Sequence, residues 1–208
     1  MATEIERKYL ARDPHWRPTG TPARLVQGYL WSGETATARV VQERENWALQ
    51  VTIISTNAVY FIPLPTEDAS ELHEATKGEP MDGSWTLRIR TEGAAPEGIF
   101  CIKSKAKGIS RAEYEYTLSA DMTRELLEAC DTAQVVKDRY KLDYEGYIWE
   151  VDVYQNPLPD EPSVTIEVEL PDETTTPPQP AWVGDEISHL KTYTNAALAR
   201  RRWKAAQV

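Results

Sequence analysis

Residues 4–8 read Glu-Ile-Glu-Arg-Lys (EIERK), with Glu4, Glu6 and Lys8 at two-residue spacing and Ile5, Arg7 and Tyr9 between them. A repeat of two is the period of a strand, whose side chains alternate between faces. Residues 4–10 therefore predict a short strand with one face given over to charge. The pattern recurs down the chain. In WTLRIR, Arg88 and Arg90 share a face opposite Leu87 and Ile89. In CIKSK, Lys103 and Lys105 share a face with Cys101. RAEYEYTL sets Arg111, Glu113 and Glu115 against Tyr114, Tyr116 and Leu118. VKDRY aligns Lys137 with Arg139, IWEVDVY aligns Glu150 with Asp152, and TIEVEL aligns Glu167 with Glu169.

One wet face on an antiparallel sheet accounts for any of these strands singly. Together they ask for more. The charges come as same-sign neighbours on single strands, which is unfavourable unless opposite charges lie between them. The charged faces also carry almost no Ser, Thr or Gln. If the sheet closes with these faces inward, the interior is a charged tunnel, and the apolar faces point outward and need helices or further strands to cover them. Such an interior is costly to desolvate unless a highly charged ligand fills it. Lysines and arginines suit phosphate oxygens, and paired carboxylates suit the hard cations Mg²⁺ or Mn²⁺.

The remaining chain sets bounds. Its 208 residues suffice for one sizeable core. The formal net charge of −10 argues against a non-specific nucleic-acid binder. Two cysteines far apart, Cys101 and Cys130, speak against a disulfide scaffold and read as small buried residues. There is no apolar leader and no run of the roughly 20 residues that a membrane span needs, so a cytoplasmic protein is expected. Further strands are predicted at residues 25–31, as a pair between 36 and 54, and at 56–65, where Pro63 and Pro65 demand an edge. Helices are expected at 66–78, with Thr66 as cap and Gly78 as stop, across SADMTRELLEACDTA, and at 187–204 with a break near Thr194 and Asn195. Mostly strands with a few helices make an α+β antiparallel sheet or barrel the natural class.

These motifs resemble the CYTH superfamily, the triphosphate tunnel metalloenzymes. EIERK matches that family's N-terminal ExExK signature, and QGYL at 27–30, RIR at 88–90, IKSK at 102–105, RAEYEY at 111–116, KDRY at 137–140, WEVDVY at 149–154, IEVEL at 166–170 and YTNAALA at 193–199 follow in family order. The resemblance, closest to compact bacterial inorganic triphosphatases, implies an eight-stranded antiparallel β-barrel, open at both ends, with flanking helices and a C-terminal helix. It implies metal binding by Glu4 and Glu6 with Glu167 and Glu169 across the tunnel, and by Asp152. It implies phosphate contacts, and with them the catalytic role, for Lys8, Arg88, Arg90, Lys103, Arg111, Lys137 and Arg139. Glu113 is an inward participant in substrate binding, and Lys105 joins the substrate-binding set on periodicity. Glu150 is assigned to a rim salt bridge.

The chain also departs from the compact pattern. More than 50 residues separate Leu30 from Arg88, which implies a single domain spanning 1–208 with an insertion at about 41–80. That insertion is a candidate for a substrate-selecting or oligomer contact, a homodimer among the options. Arg39 in TARVV competes for the arginine strand, and RIR is preferred because the lysine strand follows it directly. Many bacterial members carry arginine before the Tyr of the tail motif, where this chain has Thr192, with Lys191 one position earlier.

The expected activity is hydrolysis of a small-molecule triphosphate with Mg²⁺ or Mn²⁺, inorganic tripolyphosphate before nucleoside triphosphates. The rivals are a CYTH-type adenylate cyclase making cyclic AMP and pyrophosphate, and a non-catalytic polyphosphate or nucleotide binder. A nucleic-acid module has only Arg200–Arg202 in its favour, and that run suits a helix C-terminus. His15, His73 and His189 fall outside the strand motifs and are expected at the surface.

Overall fold

In a computed structural model, which describes residues 2–207, the chain forms β1 (Ala2–Ala11), β2 (Ala23–Leu30), β3 (Ala36–Glu43), β4 (Asn46–Ile53), β5 (Val59–Leu64), α1 (Thr66–Thr76), β6 (Thr86–Glu92), β7 (Gly98–Lys103), β8 (Ser110–Leu118), α2 (Ala120–Ala129), β9 (Gln134–Tyr144), β10 (Tyr147–Tyr154), β11 (Val164–Glu169), β12 (Val183–Glu186) and α3 (Asn195–Ala205). Eight strands pair antiparallel in the order β11-β10-β9-β2-β6-β7-β8-β1, and β1 pairs back onto β11 to close the ring. β1 divides its other edge, giving Ala2–Ile5 to β8 and its C-terminal end to β12. Closure removes most of the open edges of the sheet, although β1 pairs only with Ser110–Glu113 of β8.

The alternation of sequence becomes inside and outside. Glu6 faces Glu169 and Lys8 faces Glu167 across β1 and β11, Arg88 faces Cys101, and Lys103 faces Glu113. The apolar faces point outward and are covered in two places. Leu87, Ile89, Phe100, Ile102, Tyr114 and Tyr116 on β6–β8 share a core with β3–β5, α1 and α2. Tyr9, Trp149, Val151, Ile166 and Val168 on β1, β10 and β11 pack under Trp16 and Trp182, contributed by the connections flanking them. Those two indoles stack 5.0 Å apart. Gly28 on β2 lets α2 approach: a Cβ there would lie 2.8 Å from Cys130 Cβ and 3.1 Å from Leu127 Cδ2.

Between β2 and β6 the chain leaves the barrel to build a separate three-stranded sheet, β3-β4-β5. This excursion begins near residue 36, earlier than expected, because ATARVVQ pairs with the next strand and not with the barrel. Arg39 therefore sits exposed on the extra sheet, bonded to Gln50, and RIR is the barrel strand. β5 is an edge strand that carries Pro63, as anticipated. Its helix α1 ties back to the barrel where the Tyr114 hydroxyl donates to Glu71 (3.2 Å) and the Tyr116 hydroxyl to Asp68 (3.0 Å).

Three helix boundaries differ from expectation. Pro65, not Thr66, holds the N-cap position of α1 and offers no side-chain cap; its fixed φ suits the start of the helix. α2 stops at Ala129, and Asp131–Ala133 form a separate 3₁₀ turn. α3 covers 195–205 and starts at the break expected near Thr194 and Asn195, where Thr194 caps it by accepting from Ala197 N at 3.2 Å; before the break, only residues 191–193 are helical, as a 3₁₀ turn. Leu198 and Ala199 of α3 pack on Tyr29, Val135 and Tyr154 at one end of the barrel. Thr194, Asn195 and Ala196, at the start of that helix, line the barrel interior at this end.

A charged tunnel as candidate functional site

Each barrel strand delivers its polar face to the interior. Two cavities, of about 260 and 270 Å³, share Glu6, Arg88, Lys103, Arg111, Glu167 and Asn195 as their common waist. Lys8, Lys105 and Lys191 line the first, toward α3, while Glu4, Arg90, Glu113, Arg139 and Glu169 line the second. Lys105 reaches the mouth from an exposed loop, since β7 ends at Lys103. Two expected residues stand behind the wall. Lys137 and Asp152 are both fully buried, contact one another closely, and line neither cavity. Asp152 also accepts from Arg139 Nε at 2.7 Å. Its position is that of an anchor orienting Arg139 and Lys137. Removing one member of such a buried pair costs about 3–5 kcal/mol, because the other charge is left unpaired.

The remaining charges form chains of ion pairs. Glu4 takes Lys103 Nζ at 2.8 Å and Arg111 Nε at 2.6 Å. Burial opposes the charge of Glu4, but these two cations outweigh it and lower its pKa to about 2. Glu167 takes Lys8 Nζ at 2.8 Å and Arg139 Nη2 at 2.8 Å. Burial opposes this carboxylate too, and Lys8, Lys137 and Arg139 together hold it well below the usual range. Arg139 also touches Glu150, which is thereby part of the tunnel wall and not merely the rim. Arg88 reaches Glu113 at 3.3 Å, and Arg90 reaches Glu115 at 3.4 Å. Burial disfavours the Lys137 ammonium and lowers its pKa to about 8 against the pull of Asp152.

One place is short of positive charge. Glu6 and Glu169 stand directly opposite each other on β1 and β11, an arrangement that destabilises a sheet. Glu6 has only Arg111 Nη2, at 3.3 Å, and Glu169 has no ion pair among the described residues. Burial, with Glu167 and Glu4 nearby, pushes the Glu6 pKa up to about 7, and burial and Glu150 raise that of Glu169. Glu169 is exposed where it lines the second cavity, and carboxylates short of counter-charge are donors of the kind a hard divalent cation takes. A second group lies on the far wall, where ligand atoms of Cys101, Glu113 and Glu115 fall within 4.8 Å of one another. Arg88 Nη2 sits against this group, 3.1 Å from Cys101 Sγ. Burial raises the Cys101 thiol to about 12.

Cys101 is buried, as expected, and lines neither cavity; what that reading lacked is its contact with the tunnel groups Arg88 and Glu113. The signal was available, because alternation sets it on the same face as Lys103. Gln27 and Tyr29 line the tunnel cavities, though uncharged side chains carried no charge pattern to mark them. Cys130 is buried. His15, His73 and His189 are exposed and line neither cavity. No helix among the described residues is long and apolar enough to cross a membrane.

Comparison with known proteins places this arrangement. Residues 74–200 match the CYTH domain family, the match starting at the end of α1 where the extra sheet gives way to the barrel. An inorganic triphosphatase of Acetivibrio thermocellus is 37% identical over 125 residues, covering 60% of this chain and 78% of that protein. One from Nitrosomonas europaea is 36% identical over 124 residues, covering 58% and 78%. The crystal structure of the protein NE1496 superposes with a TM-score of 0.50 at 26% identity, covering 94% of this chain and 97% of that one. A closed eight-stranded barrel lined by interleaved acids and bases, and a family match over more than half its length, establish that this chain belongs to the CYTH domain family.

Proposed function

We propose that the protein hydrolyses inorganic tripolyphosphate to pyrophosphate and phosphate with Mg²⁺ or Mn²⁺. The observation that carries this is a tunnel rich in lysine and arginine that also holds carboxylates short of positive charge, Glu6 in its interior and the exposed Glu169 opposite it in register on β11. A pure anion site gains nothing from such carboxylates, whereas a metal–triphosphate complex uses both signs. The name of the two relatives supports inorganic tripolyphosphate as the substrate.

Glu6 and Glu169 would hold the cation, with Glu4 and Glu167 beside them. When bound, the metal supplies charge neutralisation to phosphoryl oxygens. Arg88, Lys103 and Arg111 bind the phosphate chain where the two cavities meet, Lys8 binds it on the side toward α3, and Arg90 and Arg139 meet its far end. These cations stabilise the charge that moves onto the leaving pyrophosphate. Water adds to the terminal phosphorus as the anhydride P–O bond breaks, and its proton passes to a tunnel carboxylate. Arg139 is held in place by Asp152 and needs no reorganisation during the step.

The protein incubated with Mg²⁺ or Mn²⁺ and tripolyphosphate, ATP, GTP or thiamine triphosphate tests this by product identification. Phosphate and pyrophosphate from tripolyphosphate are expected. Cyclic AMP from ATP would install the cyclase reading instead, and no turnover of any substrate would leave only a binding role.

A further inference from the structure

The C-terminal motif YTNAALA has no part in the chemistry above, yet the fold carries it into the tunnel. Asn195, the first residue of α3, lines both cavities. Of the six residues that the two cavities share, it is the one without charge and the one that does not come from a barrel strand.

Its side chain is held in one orientation. The Tyr154 hydroxyl donates to Asn195 Oδ1 at 2.6 Å, a length that suits O–H···O and is short for N–H···O. Tyr154 is itself buried and lies 3.0 Å from Thr165 Oγ1. Having given its one proton to Asn195, it accepts from that threonine. The chain Thr165–Tyr154–Asn195 therefore runs one way, from the barrel wall to the head of α3. The helix behind Asn195 is fixed as well, because Leu198 and Ala199 pack on Tyr29, Val135 and Tyr154. With Oδ1 committed, the Nδ2 amide is what the residue has left to offer, and it donates to no group among the described residues.

The cations at the same waist are not free in this way. Arg88 pairs with Glu113, Lys103 with Glu4, and Arg111 with Glu4 and Glu6. Each gives up a carboxylate when it takes a phosphate. An amide has no counter-charge to leave and stays a donor at any working pH. This one also stands at the N-terminal end of an 11-residue helix, where the helix dipole is positive. An anionic phosphoryl oxygen is the acceptor that suits it.

We infer that Asn195 binds substrate, donating from Nδ2 to a phosphoryl oxygen of the triphosphate where the two cavities meet, and that Tyr154 is its positioning residue. The inference rests on the tunnel being a triphosphate site. Calorimetric affinities for tripolyphosphate without metal, where no turnover intervenes, and for Mn²⁺ alone are compared in wild type, Asn195→Ala, Tyr154→Phe and the double variant. Asn195→Ala is expected to weaken tripolyphosphate about tenfold, the worth of one hydrogen bond to a charged group, and to leave Mn²⁺ within about twofold. Tyr154→Phe is expected to lose about threefold by leaving the amide unoriented, and to lose nothing more once Asn195 is alanine. Unchanged tripolyphosphate affinity in Asn195→Ala, or an equal loss for Mn²⁺, would overturn the inference; independent losses in the double variant would overturn the role of Tyr154. A wild type that binds tripolyphosphate without hydrolysing it defeats the proposed activity and leaves this comparison intact, whereas a wild type that fails to bind it defeats both.

Discussion

Glu6 shows how a single side chain carries a conflict that only a ligand resolves. Its pKa is about 7 in the folded protein against an ordinary 4.5, because burial and two neighbouring carboxylates oppose its charge. Between those values the folded state holds a proton that the unfolded state has released. Stability of the ligand-free protein therefore falls as pH rises from about 4.5 to about 7. Glu6→Gln is expected to melt higher than wild type at pH 8 and level with it near pH 4. The same change should abolish metal-dependent activity by at least a hundredfold, since a neutral amide is a poor ligand for a hard cation. Thermal melts across pH and phosphate release check both halves; a variant less stable at pH 8, or as active as wild type, refutes the assignment. Glu4, with its pKa of about 2, carries no such penalty and behaves as a satisfied partner of Lys103 and Arg111.

At the level of elements, the barrel depends on what covers its apolar outside. β2 is covered by α2, and Gly28 is the point of closest approach. Gly28→Ala would force Cys130 and Leu127 away from the strand. Overpacking of this kind costs about 1–3 kcal/mol, and a lower urea midpoint with an unchanged slope is the expected result. An unaltered midpoint would mean that α2 rides loosely on the strand. The tyrosine bonds from β8 to α1 make the extra sheet a second cover, fixed to the strand that carries Arg111, Glu113 and Glu115.

Taken as a whole molecule, the protein pairs the charged groups of its tunnel with one another. Under the proposed function, phosphate competes with Glu4 and Glu113 for Lys103, and metal competes with Lys103 and Arg111 for Glu4. A triphosphate that draws the lysines and arginines away frees carboxylates for the cation, and a cation does the converse. Metal and tripolyphosphate should therefore bind with positive coupling. Melting temperature is expected to rise more with Mg²⁺ and tripolyphosphate together than the sum of the separate shifts. A merely additive shift would show that the sites are independent.

The sequence by itself determined the eight barrel strands, though not β12, together with the charged face of most of them, the helical covers, and the resemblance that EIERK and its companions carry. Alternation in a strand is local chemistry, and a one-residue slip would invert it, so it is legible without the fold. Tertiary structure decided which charges meet. That Glu6 opposes Glu169 with only Arg111 paired to it among the described residues, while Asp152 is sealed behind the wall with Lys137, depends on register between strands distant in the chain. Lys105 continues the period on paper, but the strand ends at Lys103. ATARVVQ reads equally well as a barrel strand or as part of the extra sheet, because propensity does not name a partner. Asn195 meets Tyr154 only because the tail folds back onto the barrel, and no local pattern records that meeting.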